Sequence, residues 1–290
     1  MATLKQIRQR IKTAKNIRQI TRAMKLVSAA RLKKAQDKVL EARPYADKMR
    51  EFMASLGAAG ELPQHPLLAK RPIQNYAVII VTAERGLAGS YNTNLIKASS
   101  DFLKKTDGKA SLFTVGKKGS LFFGKRGYNM VGTHTIASSG ATFEDAVKVT
   151  KVATDLYTSG EVDAVFVVYA KFYSAIRQVP QVVQLLPIEP PKAEGEVASA
   201  TSSSKEYSYE PAPVDLLKIL LPRFVLTVTF QALLESTASE FGARMTAMTS
   251  ATDNAAKMID GLTLKANRER QASITKEILE VVGGAEALKG

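Results

Sequence analysis

The chain has 290 residues, of which 45% are apolar, which is room for one or two domains with a real core. Its net charge of +14 points to an acidic partner, whether nucleic acid, an anionic membrane or an acidic protein surface. With no cysteine, disulfides, thiolate zinc sites, thiol catalysis and thiol redox control are excluded. The two histidines, His65 and His134, lie far apart in sequence and are expected on the surface or in loops rather than in a metal centre. The first residues are charged and no apolar signal segment follows. The protein is therefore expected to stay where it is made, unless a transit peptide has been removed.

Residues 4 to about 56 read as a long helix. Leu4, Ile7, Ile11, Ala14, Ile17, Ile20, Met24 and Val27 recur in steps of three and four, the spacing of a coiled-coil seam. The pattern loosens after Ala30, continues through Ala35, Val39 and Ala42, and meets Pro44. That proline is expected to begin a kink or a new helical segment, Tyr45 to Leu56. Up to Lys34 the charged residues of this helix are all basic, from Lys5, Arg8 and Arg10 through Arg18, Arg22 and Lys25 to Arg31, Lys33 and Lys34. Solvated faces usually mix both signs. A one-sign face of this length repels itself and fits an acidic environment: nucleic acid, a membrane surface or an acidic protein sleeve.

Gly57 to Pro72 reads as a connector punctuated by glycine and proline. The periodicity then changes. Tyr76 to Thr82 is a continuous β-branched run, as in a strand buried on both faces. A glycine-bearing turn, Glu84 to Asn92, leads to a helix at about Thr93 to Lys105. Ser111 to Val115 reads as a strand, Lys117 to Lys125 as a short helix and Asn129 to Ile136 as a third strand. Phe143 to Tyr157 is helical, with Thr142 as its cap. Asp163 to Ala170 is a strong strand, and Gln181 to Leu186 one more at an edge. Strands alternating with helices imply an open, mostly parallel α/β sheet. Pro187 to Ser204 is rich in Pro, Ala, Ser and Glu and reads as a flexible linker.

A helical segment at Val214 to Leu221 leads through Pro222 into a terminal helix from about Arg223 to Leu288. It is expected to stop near Gly283 and Gly284. Its apolar positions include Leu233, Met245, Met248, Ala255, Ile259, Leu262, Ala266, Ile274, Ile278 and Val281. At about 1.5 Å per residue such a helix is roughly 100 Å long, more than one core can cover. Glu235, Glu240, Arg244, Asp253 and Lys257 are expected to break every apolar window and exclude a membrane span. A helix this long needs a partner, and the N-terminal helix offers one.

The α/β stretch invites a nucleotide-enzyme reading, but its motifs do not fit one. Gly116-Lys-Lys-Gly-Ser120 and Gly124-Lys125-Arg126 lack the spacing of a phosphate-binding loop. Gly86 and Gly89 stand three apart without a third partner, which suits a tight turn better than a dinucleotide site. There is no G-x-S-x-G elbow. Glu144 and Asp145 sit where they complement a helix dipole. With 7% aromatic residues and no tryptophan, base-stacking platforms are poorly provided for. No catalytic residue, cofactor or metal is expected, and the sheet reads as a scaffold.

Several runs resemble the gamma subunit of rotary proton-translocating ATP synthases. They are Ile17 to Ala30, Glu84 to Asn92, Tyr207 to Pro211, Ala243 to Ala255 and Asn267 to Glu277, in the family's order and spread over almost the whole chain. The resemblance implies a long antiparallel coiled coil of the N- and C-terminal helices plus an open α/β sheet domain. The expected division is 1–57 and 207–290 for the coil, 73–190 for the sheet domain and 191–206 for the linker. It further implies the central rotor shaft, one copy per complex, inside three alpha and three beta subunits. The epsilon subunit and the membrane c-ring are the other partners, so membrane contact is indirect. By the same resemblance Met24, Lys25, Arg270, Gln271, Thr275 and Glu277 would contact beta, and Tyr207 and Glu210 would lie in the region that meets the c-ring.

The family's plant and cyanobacterial forms carry a regulatory insertion that this chain lacks, and the central motifs look more bacterial than mitochondrial. The implied location is the cytoplasmic face of a bacterial inner membrane, or alternatively the matrix side of the mitochondrial one. A basic coiled-coil protein that binds nucleic acid and a nucleotide-dependent enzyme are the competing readings. The rotor reading accounts together for the long helices, the one-sign charge and the missing catalytic residues.

Overall fold

The computed structural model of the chain describes residues 3–58, 65–189 and 213–287. The expected linker at 191–206, together with Tyr207, Glu210 and Leu288, lies outside them. The elements run in the order α1 (Leu4–Ala58), β1 (Asn75–Val81), α2 (Tyr91–Lys105), β2 (Lys109–Val115), α3 (Lys117–Gly124), β3 (Met130–His134), α4 (Phe143–Thr158), β4 (Ala164–Ser174), β5 (Arg177–Leu186) and α5 (Pro213–Ala287). The chain divides into two compact units, one of Met1–Ser28 with Met245–Gly290 and one of Ala29–Arg244.

In the larger unit five strands form one sheet in the order β3-β2-β1-β4-β5. β1, β2, β3 and β4 are parallel and β5 runs antiparallel at the edge. The β-branched run of β1 is explained by burial on both faces. Ala77, Ile79 and Val81 face a core closed by α4, the end of α1 and the first turns of α5. Tyr76, Val78 and Ile80 alternate with them and face α2 and α3 in a cluster with Leu95 and Phe123. β4 and β5 are longer than expected, because the hairpin continues beyond the last paired residue of β1.

Three breakers act differently from expectation. Pro44 lies inside α1 and begins no new segment. It is exposed, and so is Leu40, whose carbonyl loses the proline's missing N–H on the watered side of the helix. Pro222 lies inside α5, which starts at Pro213 as one helix. Gly283 and Gly284 do not stop α5, which continues to Ala287. A further expectation is corrected at the start of α5. By length and composition this helix is apolar enough to cross a bilayer, so its charges do not break every window. Leu217, Leu221, Val225 and Leu233 use that apolarity in the core under the sheet.

Within the larger unit α1 and α5 run antiparallel. Arg50 Nη2 donates to Gln231 Oε1 at 2.5 Å, and the Arg31 guanidinium lies 5.9 Å from the Phe241 ring centroid. Gln231 Nε2 in turn donates to the buried Glu235 at 3.0 Å.

In the smaller unit the seam is narrower than the apolar pattern. The buried positions on α1 are Ile7, Ala14, Thr21 and Ser28, a strict seven-residue step, while Ile17, Ile20 and Val27 are exposed. Met248, Ala255 and Ile259 are the buried positions on α5. Thr252 Oγ1 donates to Thr21 Oγ1 at 2.8 Å and marks the register. Ile7→Ala should therefore loosen this pairing by about 3 kcal/mol, whereas Ile17→Ala or Ile20→Ala should change it by less than about 0.5 kcal/mol. Amide hydrogen exchange over residues 4–28 checks the contrast.

His134 is not the surface residue expected. It ends β3 and its Nε2 lies 2.8 Å from Asp145 Oδ1, both side chains being largely buried. Asp145 also completes a capping box with Thr142 at the start of α4. Burial opposes its ionisation. His134 and the hydroxyl and N–H of Thr142 outweigh that and hold the carboxyl below its ordinary pKa. A lowered folded pKa gives stability that is present above the unfolded pKa and lost as pH falls through the folded one. Asp145→Ala should cost about 1 kcal/mol at neutral pH, and less as the medium is acidified towards pH 3. Urea unfolding at the two pH values measures both.

Candidate functional site

The parallel strands bring their carboxyl ends together where an open α/β sheet ordinarily binds a ligand. A cavity of about 360 Å³ lies there, with Arg31, Arg85, Lys117 and Arg244 against Glu84 and Glu240 in its lining. Its local geometry is not that of a phosphate cradle. Lys118 N donates to Ala83 O at 3.1 Å and Gly119 N to Thr82 Oγ1 at 2.9 Å, so amides at the start of α3 are turned onto the sheet itself. Gly116 has a φ of 93°, and a Cβ there would stand 2.2 Å from Thr82 O. Its glycine serves this close approach to β1. The turn from Glu84 is held in the same way. Ala83 N donates to Asn92 Oδ1 at 2.9 Å, and Glu84 Oε1 accepts from Ile136 N at 3.0 Å. Gly86 and Gly89 thus belong to a structural turn, as their spacing predicts.

α5 crosses this edge with a run of buried polar residues that the periodicity did not single out. Tyr91 OH donates to Ser236 O at 3.1 Å and lies 2.7 Å from Ser236 Oγ. Ser239 Oγ donates to Ala170 O at 3.0 Å, and Ala141 N donates to Thr237 Oγ1 at 3.4 Å. Burial, followed by the charge of Glu240, pushes the Tyr91 phenol far above its ordinary pKa, so it remains a protonated donor. The sequence signal for these residues is Ser-Thr-Ala-Ser inside a long helix, where hydroxyls are poor helix formers and want a partner.

Glu240 and Arg244 pair at 2.6 Å one turn apart, and Arg244 also reaches the carbonyls of Arg85 and Gly86 at 3.5 and 3.4 Å. Burial raises the pKa of Glu240, Arg244 and Arg31 pull it down and Glu84 adds to the rise, with a net upward shift. Removing Arg244 takes away the main opposing charge and sends the pKa higher. A raised folded pKa means stability that is full below the unfolded pKa and is lost as pH rises through the folded one. Arg244→Met should cost about 3 kcal/mol, more at pH 8 than at pH 5, as read by denaturant unfolding at both.

The residues expected to contact beta lie in the smaller unit. Met24 and Lys25 are half-buried on α1, whereas Arg270, Gln271, Thr275 and Glu277 are exposed on α5. Thr275 Oγ1 donates to Gln271 O at 2.9 Å and Ser273 Oγ to Glu277 Oε1 at 3.1 Å, so their hydrogen bonds stay within the helix. From the Thr21–Thr252 register Met24 stands level with about residue 249, about 30 Å along the axis from Arg270. The two groups are not brought together. The same register puts Leu4 level with about residue 269, so α5 outruns its partner helix near there. Ile274, Ile278 and Val281 are accordingly exposed and not part of the seam. Of the basic residues up to Lys34, only Lys33 forms a close ion pair among the described residues, with Asp37 at 2.9 Å, while Arg31 acts on Glu240 from further off. Among the described residues no group of three or more His, Asp or Glu side chains is gathered to hold a metal.

The chain matches the family model described as ATP synthase over residues 3–288. It is 44% identical to the ATP synthase gamma chain of Pelotomaculum thermopropionicum over 289 residues, all of both chains. It is 46% identical to that of Anaeromyxobacter sp. strain Fw109-5 over 295 residues, again with full coverage of both. Its fold is similar to a chain in the Euglena gracilis mitochondrial ATP synthase structure of OSCP, F1 and c-ring, with a TM-score of 0.68 at 18% identity, covering 98% of this chain and 94% of that one. A chain of the Tetrahymena thermophila mitochondrial central stalk and c-ring gives a TM-score of 0.58 at 22% identity, covering 80% and 99%. These likenesses lend no support to a nucleic-acid role for the basic helix. On sequence likeness over its full length, the chain belongs to the ATP synthase gamma chain family.

Proposed function

We propose that this chain is the central rotor shaft of an ATP synthase, coupling ion flow through a membrane ring to the catalytic subunits. The observation that carries this reading is full-length likeness to gamma chains, joined to a pair of antiparallel helices whose longer member is left bare at its end. From Gln271 to Ala285 every residue of α5 is exposed, Ile274, Ile278, Leu279, Val281 and Val282 among them. An apolar stripe of this kind needs a cover. The mostly unpaired basic face of α1 needs an acidic surround.

On this reading one copy sits within three alpha and three beta subunits, with epsilon and the c-ring as further partners. Arg270, Gln271, Thr275 and Glu277 on α5 and Met24 and Lys25 on α1 contact beta. Their separation along the axis makes them two contact levels rather than one patch. Tyr207 and Glu210 belong to the region that meets the ring. The chain does no chemistry itself. It makes different contacts with each catalytic subunit, and so biases each site to a different affinity. The bacterial source of the curated relatives supports a peripheral position on the cytoplasmic face of the inner membrane.

Purified chain should restore ATP hydrolysis to a mixture of alpha and beta subunits, and failure to assemble with them refutes the reading. Arg270→Glu combined with Gln271→Ala should lower ATP synthesis in membranes roughly tenfold, the factor carried by about 1.4 kcal/mol of contact. The isolated subunit should keep its helix content and unfolding transition. Unchanged synthesis would remove these two residues from the contact.

A further inference from the structure

In a parallel sheet each inner strand needs neighbours on both sides for its N–H and C=O groups. β4 has β1 on one side only as far as Val168, which pairs with Ile80. Beyond that point β1 leaves it. Thr82 turns to β2 instead, its N–H donating to Val115 O at 2.8 Å and its hydroxyl to Val115 O and Gly116 O at 3.1 and 3.3 Å. Ala170, two residues further along β4, is thus left without a strand on that side. On the other side it faces Pro180, which has no N–H to give.

The groups that take over belong to α5. Ser239 Oγ donates to Ala170 O at 3.0 Å, and Ala170 N donates to Ser236 Oγ at 3.5 Å. The N–H and C=O of one strand residue point to the same side. Both are therefore turned away from Pro180 and towards α5. Tyr91, the first residue of α2, grips the same serine from the other direction. Ser236, Ser239 and Ala170 are all fully or almost fully buried, so water does not compete for these bonds. Gly242, one turn further on, lets α5 come close to the β4–β5 hairpin, since a Cβ there would lie 3.2 Å from Ala175 Cα.

We propose that Ser236 and Ser239, with Tyr91, form a lock that keys helix α5 into the hydrogen-bond ladder of the sheet and stops it from sliding or turning against the α/β domain under load. They are positioning residues, and the proposal rests on the rotor reading above. Apolar side chains at a helix–sheet contact hold it by area and tolerate slip, because dispersion and burial have little direction. Hydrogen bonds to a fixed backbone peptide do not tolerate it. The place is the break between β1 and β4, where an open sheet would otherwise receive a ligand. Here α5 forms one wall of that place.

The test uses the assembled complex in membrane vesicles, with ATP hydrolysis and ATP-driven proton uptake measured on the same preparation. If the wild-type chain does not assemble with alpha and beta, the rotor reading fails and the lock with it. If it assembles, Ser239→Ala should keep hydrolysis within about twofold and lower proton uptake roughly fivefold, through loss of one buried hydrogen bond under load. Ser239→Thr, which keeps the hydroxyl, should restore uptake. Tyr91→Phe, which keeps the ring in the core, should act like Ser239→Ala and serves in its place if that variant does not fold. Proton uptake equal to wild type in the alanine and phenylalanine variants overturns the lock. So does a fall of hydrolysis and uptake in parallel with loss of assembly, which would mark these residues as merely structural.

Discussion

The structure of the larger unit depends on one mismatch in strand length. β4 and β5 run on after β1 has turned away to β2, and the buried peptide of Ala170, left without a strand beside it, has to be satisfied by something else. α5 meets that need with hydroxyl groups. Much else follows from it. The polar run Ser236, Thr237, Ser239 is buried on α5 beside Leu233, Leu234, Ala238 and Phe241. Tyr91 is buried at a helix start where an exposed residue is usual. At the carboxyl edge of the sheet α5 lines the cavity beside its cations through Ser236, Thr237, Glu240 and Arg244.

The smaller unit is governed by a different economy of contact. Its seam on α1 is Ile7, Ala14, Thr21 and Ser28, one large residue followed by three small ones. Small seam residues give little burial per turn, so hydrophobic area alone holds this pair weakly. The Thr21–Thr252 hydrogen bond adds direction to it, as polar seam residues do when they fix register at a cost in stability. The basic residues of α1 stay outside this seam, and up to Lys34 the helix carries no acidic residue of its own to answer them.

Much of the fold was legible in the sequence because each element announced a period. The run Tyr76 to Thr82 read as a strand with two buried faces, and the Thr142 cap marked the start of α4 to the residue. The errors share a cause. Pro44, Pro222 and the Gly283-Gly284 pair are breakers by local propensity, but a helix already long enough bridges one missing bond, and local rules have no term for length. The seam was overdrawn for another reason. Ile17, Ile20 and Val27 are apolar and in step, yet face outward, because apolarity marks every face that will be covered, by this chain or by another. Arg270 and Gln271 came from resemblance, since an exposed Arg-Gln on a helix carries no physical signal of its own. Ser236 and Ser239 were missed because their partner is a backbone peptide whose isolation appears only once the strands are paired.

The bare end of α5 has a consequence for how the protein is made. A helix that shows Ile274, Ile278, Leu279, Val281 and Val282 to water is a surface on which chains stick to one another. Its synthesis has therefore to be matched in time and amount to that of whatever covers it. Copies made in excess would cluster or be degraded, and the supply of the covering subunits would set the steady level of this one.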